Sequence, residues 1–109
     1  MDTANHYLKR NAIAQIVDTA IREKTLNPLT DTAAIFYSFD MLREKICAIK
    51  EAFPHNAIHT AAIKANPLPP VLKQLKNIGF GAEAASINEV LMALTIGIEP
   101  SKIFFDSPA

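Results

Sequence analysis

The apolar positions of this chain change period along its length. Between Tyr7 and Glu23 the residues Ile13, Ile16, Val17, Ala20 and Ile21 recur at helical spacing. That spacing predicts an amphipathic helix with one adhesive face, ending before Asn27-Pro28. Thr25 to Thr32 is polar, contains Pro28 and reads as a linker. Beyond it, short strand-like runs begin at Ile35 (IFYSF), Ile58 (IHTAAIK), Phe80 (FGAEAAS) and Lys102 (KIFF), their starts 23, 22 and 22 positions apart. Helix-like stretches fill the gaps. Met41 to Phe53 sets Leu42, Ile46, Ile49 and Phe53 on one face and is stopped by Pro54. Pro69 to Ile78 carries Val71, Leu72, Leu75 and Ile78, with Gly79 placed as a C-cap. Ser86 to Ile96 opens with Ser86-Ile87-Asn88-Glu89, a capping-box spacing, and closes at Gly97.

Strand and helix alternating at a steady period predict βαβ units and a parallel sheet, an α/β fold. The connections are too long for hairpins and right for crossover helices. Residues 1–32 then form an N-terminal helix and linker, and 33–109 four strands with three intervening helices. Four such strands make half of a (β/α)8 barrel, whose usual size is about 250 residues. A small open sheet of flavodoxin type fits the pattern equally, and the pattern alone leaves both open. The stop at Ser107-Pro108-Ala109, directly after the fourth strand, suggests a fragment.

Composition narrows the setting. Eleven basic residues balance eleven acidic ones, so a nucleic acid or a membrane surface would find no field to attract it. No apolar run approaches the roughly 20 residues that cross a bilayer, and the N-terminus lacks the basic-then-apolar order of a secretory signal. The single Cys47 cannot make an internal disulfide. A reducing, cytoplasmic setting is expected.

Lys64 is the sharpest chemical signal. It ends the second predicted strand, Ala61-Ala62-Ile63-Lys64-Ala65-Asn66-Pro67, and active sites of parallel α/β folds are built at that end. By strand parity it shares a face with Ala62 and Thr60, small neighbours that leave room for a flat ring, while Ile63 and Ala61 point the other way. A half-enclosed lysine is a candidate nucleophile toward a carbonyl; the plain alternative is a lysine that closes the strand and reaches into solvent. The other polar candidates are weaker. His6, His55 and His59 lie on different elements without metal-ligand spacing, and His59 is expected to meet a covering helix. Cys47 is expected to be a buried, inert thiol. No GxGxxG or P-loop is present.

The stretch from Ala61 to Gly79, AAIKANPLPPVLKQLKNIG, resembles the cofactor-lysine signature of the ornithine/diaminopimelate/arginine decarboxylase family. Ala62, Lys64, Ala65, Asn66, Val71, Leu72, Leu75 and Gly79 fall into place; Ala61 departs, standing where the family usually has Tyr or Phe. The resemblance runs from Ile35 to Ala109. Phe36-Tyr37-Ser38-Phe39-Asp40 with Leu42-Arg43 is similar to the family's first barrel strand and helix. Phe80-Gly81-Ala82-Glu83-Ala84-Ala85-Ser86 with Glu89 is similar to its third, and Pro100 to Pro108 to its fourth. Within the family, His59-Thr60 and the FDSP ending lean toward the diaminopimelate branch.

This resemblance implies half of an alanine-racemase-like (β/α)8 barrel carrying pyridoxal 5'-phosphate, with Lys64 forming the cofactor's Schiff base. Glu83 stands where the family has a cofactor-facing Asp, one methylene longer; a surface acid on an edge strand is its plain alternative. Ser86 and Glu89 match the family, yet a helix-capping box explains both, and Asn66 either caps the loop or bonds near the cofactor. The family's phosphate loop, the acid at the ring nitrogen and the C-terminal β-domain are expected outside these residues. The chain alone is therefore expected to be inactive. A small amino-acid substrate and a homodimer are implied, with no nucleic acid and no membrane. A non-catalytic relative serving regulation, or a racemase-type protein on the same barrel, are the competing readings.

Overall fold

The computed structural model describes residues 10–106. The chain divides between Tyr37 and Ser38 into two compact units. In the first, the helix expected over Tyr7–Glu23 is seen as α1 (Arg10–Arg22); His6, Tyr7 and the end from Ser107 lie outside the described residues. Beyond α1, Lys24 takes a left-handed conformation (φ 59°), and the N–H groups of Thr25 and Leu26 both return to the Ala20 carbonyl. This is how a helix without a C-terminal glycine satisfies its last carbonyls. The segment expected to be a linker is itself a built turn. Asn27 N–H donates to Asp31 Oδ2 (2.7 Å) and Leu29 N–H to Asn27 Oδ1 (3.0 Å).

The first expected strand is missing where the first unit ends at Tyr37 and the second begins at Ser38. The apolar run Ile35–Phe39 forms no strand. Ser38 instead caps α2 (Phe39–Ala52), its Oγ accepting from Met41 N–H (3.2 Å), and Phe39 opens the helix. A strand exists only through backbone bonds to a neighbour, and no described strand offers them here; the side-chain oxygen of Ser38 commits the chain to helix first. Pro54 then pushes Phe53 to extended backbone and ends α2.

Three strands follow, all parallel, in the order β1 (Thr60–Ala62), β2 (Gly81–Ala84), β3 (Ile103–Phe105). The crossovers contain α3 (Pro69–Asn77) and α4 (Ile87–Ile96). Pro69 and Pro70 occupy the first turn of α3, where their missing N–H groups cost nothing. Lys50 Nζ donates to the Ile78 carbonyl at the other end of α3 (2.9 Å), tying α2 to it. Gly97 ends α4 at φ 94°, the left-handed cap that the sequence predicts.

Register fixes the faces. Thr60 lies beside Gly81, Ala61 beside Ala82, Ala62 beside Glu83, and Glu83 beside Phe104. Ala82 and Ala84 are buried with Ile63, Leu72, Ala93 and Ile98, and Leu75, Val90, Met92, Ile96 and Ile103 pack against this cluster. Side chains alternate along a strand, so this helix-covered side excludes Thr60, Ala62, Gly81, Glu83 and Phe104, which share the opposite face. The alanines at the contact let α4 lie close on β2.

The start of α4 shows the expected capping box in full. Ser86 Oγ accepts from Glu89 N–H (3.3 Å), while Glu89 Oε2 accepts from Ala85 N–H (3.2 Å) and the Ser86 hydroxyl (3.0 Å). Ser86→Ala removes the first bond and the hydroxyl donor of the third. The expected cost is about 1 kcal/mol, a fall in thermal midpoint of about 5 °C, read by circular dichroism melting.

Candidate functional site

The carboxyl ends of β1 and β2 hold the polar side chains that the sequence singles out. β1 stops at Ala62, and Ile63–Ala65 form one 3-10 turn closed by Asn66 N–H donating to the Ile63 carbonyl (3.1 Å). Lys64 therefore sits on this turn and not on a strand. A 3-10 turn rotates successive side chains by about 120°, a strand by about 180°, so strand parity no longer fixes its direction. Ile63 stays in the core, fully buried, as parity requires. Lys64 is exposed, and its amine has no hydrogen-bond or ion-pair partner among the described residues. The half-enclosure expected around this lysine is not built by them. Asn66 serves the loop: its Oδ1 accepts from Leu68 N–H (3.3 Å), an Asx turn.

Glu83 lies on the middle strand and not on an edge, and is half-buried. Its immediate neighbours across the β1–β2 pair are small: Ala62 beside it and Thr60 beside Gly81, all on the same face. On the β3 side it meets Phe104, about half exposed. The structure thus brings one carboxylate onto a face of small residues, with one primary amine two residues beyond Ala62 on the adjacent turn. Glu89 adds a feature that spacing did not foretell. Its Oε2 completes the cap, but its Oε1 is buried with no hydrogen-bond partner among the described residues. The spacing Ser86-x-x-Glu89 signals a cap and is silent on the second oxygen.

The remaining candidates separate from this place. His59 is held between aromatic rings, stacked on Phe80 (5.4 Å, 18°) and edge-on to Phe53 (5.4 Å, 72°) at the end of α2. It meets the covering helix as expected and serves packing. Cys47 is exposed, against the expectation of a buried thiol. It follows Ile46, the buried residue of α2, and one residue on a helix turns it about 100° away from the core. Among the described residues no three His, Cys, Asp or Glu converge as a metal site, and no helix is long and apolar enough to cross a membrane. A hollow of about 510 Å³ runs along α1, lined by Ala12, Ile16, Ala20 and Phe36 among others. It lies in the first unit and holds neither Lys64 nor Glu83.

The donor set can be tested against a group carrying an aldehyde on a flat ring. A primary amine free of ion pairing is the group that condenses with an aldehyde. Threonine, alanine and glycine beside Glu83 leave a ring unobstructed on β1 and β2. The residues present fit.

Known proteins are similar to this chain over the second unit, which holds the parallel sheet. The family model described as pyridoxal-dependent decarboxylase, pyridoxal binding domain, matches residues 39–109. Diaminopimelate decarboxylase of Helicobacter pylori strain J99 is 39% identical over 75 residues, 68% of this chain and 18% of that protein. The Aquifex aeolicus enzyme of the same name is 34% identical over 82 residues, 75% of this chain and 19% of its own. Ornithine decarboxylase 2 of Drosophila melanogaster is 40% identical over 47 residues, 43% of this chain and 12% of that protein. The chain spans about a fifth of the length of the first two relatives. No solved structure matches it. With the matched segment covering α2 through β3 and the whole parallel sheet, this chain belongs to the pyridoxal-dependent decarboxylase family, within its pyridoxal-binding domain.

Proposed function

We propose that this chain supplies the opening βα units of a (β/α)8 barrel in a pyridoxal-phosphate-dependent amino-acid decarboxylase, with Lys64 as the residue that binds the cofactor covalently. The observation that carries the reading is the joint position of an unpaired primary amine and a family match that spans it. Lys64 follows the carboxyl end of a parallel strand, the end at which such folds assemble their sites.

Pyridoxal phosphate, when bound, supplies the electron sink that loss of a carboxylate requires. The work left to this chain is attachment and orientation. Lys64 would hold the group covalently through its primary amine, the one function on this turn able to condense with an aldehyde. Glu83, beside Ala62 on the face of small residues, would help hold the group through its carboxylate. Its longer reach than the family's usual Asp is accommodated by the absence of any bulky side chain on β1 and β2 beside it. The capping box of Ser86 and Glu89 fixes the turn after β2 and so the height at which Glu83 stands.

The substrate class is a small amino acid, and diaminopimelate is the substrate supported best, since relatives bearing that name recur among the similar proteins. A cytoplasmic homodimer is the setting that accompanies this reading. Reducing a mixture of the full chain and pyridoxal phosphate with borohydride is expected to leave one phosphopyridoxyl group per chain. Peptide mapping is expected to find it on the segment holding Lys64. A label spread evenly over Lys64, Lys73 and Lys76 overturns the assignment.

A further inference from the structure

The end of the sheet away from Lys64 holds a second group of charged side chains. Phe80 and Lys102 stand immediately before β2 and β3, so they mark the amino end of the strands. Lys76 comes from the last turn of α3, and Gly97 and Ile98 follow α4. These residues and Glu99 line a hollow of about 110 Å³. Phe80 and Ile98 are buried and give it an apolar wall. A single water needs only about 10 to 15 Å³ of such space, so the hollow admits a polyatomic ion.

Lys76 and Lys102 are both half-buried, and neither amine has a hydrogen-bond or ion-pair partner among the described residues. Glu99, the acid on the lining, is exposed and pairs with neither. Lys50 shows the ordinary use of such a lysine. Its Nζ stands 3.1 Å from where a Cβ on Gly79 would lie, and it donates to the Ile78 carbonyl (2.9 Å). That is a lysine closing the C-terminal end of a helix. Lys76 repeats the placement one helix later, its Nζ 3.1 Å from the corresponding point on Gly97, but it donates to no carbonyl. Attraction to the carbonyl end of α4 accounts for an amine near Gly97. It accounts neither for the missing bond nor for a second lysine on the same hollow. Two cations there, partly withdrawn from water and without acceptors, repel each other and lose hydration. An anion between them reverses both effects.

We propose that this hollow binds a small inorganic oxyanion of the phosphate class, held between the ammonium groups of Lys76 and Lys102. The site is independent of the cofactor assignment, since it lies at the opposite end of the sheet. Its occupant joins the end of α3 to the start of β3, and so acts on the stability of the sheet.

The test is a calorimetric titration of the full chain with inorganic phosphate, at an ionic strength held constant with chloride. One ion per chain is expected to bind, and the thermal midpoint to rise with phosphate concentration. Lys76→Met and Lys102→Met keep the side-chain length and remove the charge; each is expected to weaken binding about tenfold. Lys50→Met removes the same charge from the same end of the molecule and is expected to leave binding at the parent value. Glu99→Gln removes the opposing charge and is expected to tighten binding about twofold. A parent chain that binds no phosphate, or equal weakening in Lys50→Met and Lys76→Met, overturns the proposal. Should a methionine variant fail to fold, the parent chain supplies a second measurement. Phosphate is expected to slow modification of Lys76 and Lys102 by trinitrobenzenesulfonate, read by peptide mapping, and to leave the exposed Lys73 at its own rate. Protection spread evenly over all three overturns the site. Glycerol phosphate, titrated in the same way, is expected to bind more weakly than the free ion. Equal or tighter binding of the ester assigns the hollow to a phosphate-bearing metabolite and overturns the choice of an inorganic ion.

Discussion

Lys64→Ala and Lys64→Arg are both expected to abolish specific attachment of pyridoxal phosphate while leaving the fold almost untouched. The two halves of this result have different origins. Lys64 is exposed and bonds to nothing among the described residues, so its truncation removes no packing. Surface changes of that kind fall within about 0.5 kcal/mol, a shift of the thermal midpoint below about 4 °C. The chemical half is all-or-none, because attachment needs a nucleophilic primary amine. Arginine keeps the charge and much of the length, but its guanidinium stays protonated and cannot condense with an aldehyde. If charge attraction to the phosphate were all that Lys64 contributed, Lys64→Arg would keep its labelling. The measurement is borohydride trapping followed by intact mass, with a melting curve for each variant. Retention of the label in Lys64→Arg, or a collapse of the fold in Lys64→Ala, contradicts the assignment.

The helices were legible in the sequence because their boundaries are set by local chemistry. Ser86 and Glu89 needed only each other to announce the start of α4, and Gly97 needed only its own lack of a Cβ to announce the end. Pro54 and Pro69 act on the residues next to them. Parallel pairing of β1, β2 and β3 followed from the length of the crossovers, again a local quantity. What the sequence misplaced depends on neighbours. Ile35–Phe39 has strand composition, but composition supplies no partner strand, and Ser38 turned its last residue into a helix start. Cys47 lies beside the apolar stripe of α2, and whether its flank is covered depends on where α3 lies, which the α2 pattern alone does not encode.

The candidate site shows the same division at the scale of single atoms. Lys64 is singled out by residue type and place in the chain and Glu83 by resemblance to a family Asp, and the structure has both at or near the carboxyl end of the sheet. The environment of Lys64 was misjudged because parity was carried one residue too far. Extended backbone stops at Ala62, and the 3-10 turn that follows leaves Lys64 exposed where an extended strand would have kept it beside Ala62. Glu89 is the converse case, since a motif explained the residue and hid half of its carboxylate. A spacing rule accounts for the bonds it names and leaves the remaining lone pairs to be found by inspection of burial.

Gly81→Ala is expected to be the most damaging small substitution in the parallel sheet. Gly81 is buried at the start of β2, and its N–H donates to the His59 carbonyl (2.8 Å), which opens the β1–β2 ladder. A methyl group placed there runs into the carbonyl oxygen of Lys102, with Lys102 Cβ at 2.9 Å and its carbonyl carbon at 3.0 Å. The obstacle is mostly backbone, so no rotamer change relieves it. Lys102 ends the 3-10 turn that begins at Pro100, held by its own N–H to the Glu99 carbonyl (2.8 Å), and Ile103 directly after it pairs with Ala82 and packs on the core. Moving Lys102 therefore pulls β3 from β2. Overpacking against a fixed neighbour costs about 3 kcal/mol, a fall of more than about 12 °C in thermal midpoint for a domain of this size. Gly97→Ala supplies the comparison. Its φ of 94° makes any side chain strained, but the nearest atom is Lys76 Nζ at 3.1 Å, the free end of a flexible chain. The expected cost there is about 1 to 2 kcal/mol, that of the left-handed backbone alone. A melting series in which Gly97→Ala fell as far as Gly81→Ala would remove the backbone collision as the cause and leave backbone conformation as the controlling term. The ordering matters for the site, because β2 carries Glu83 and only a fixed β2 keeps that carboxylate level with Ala62.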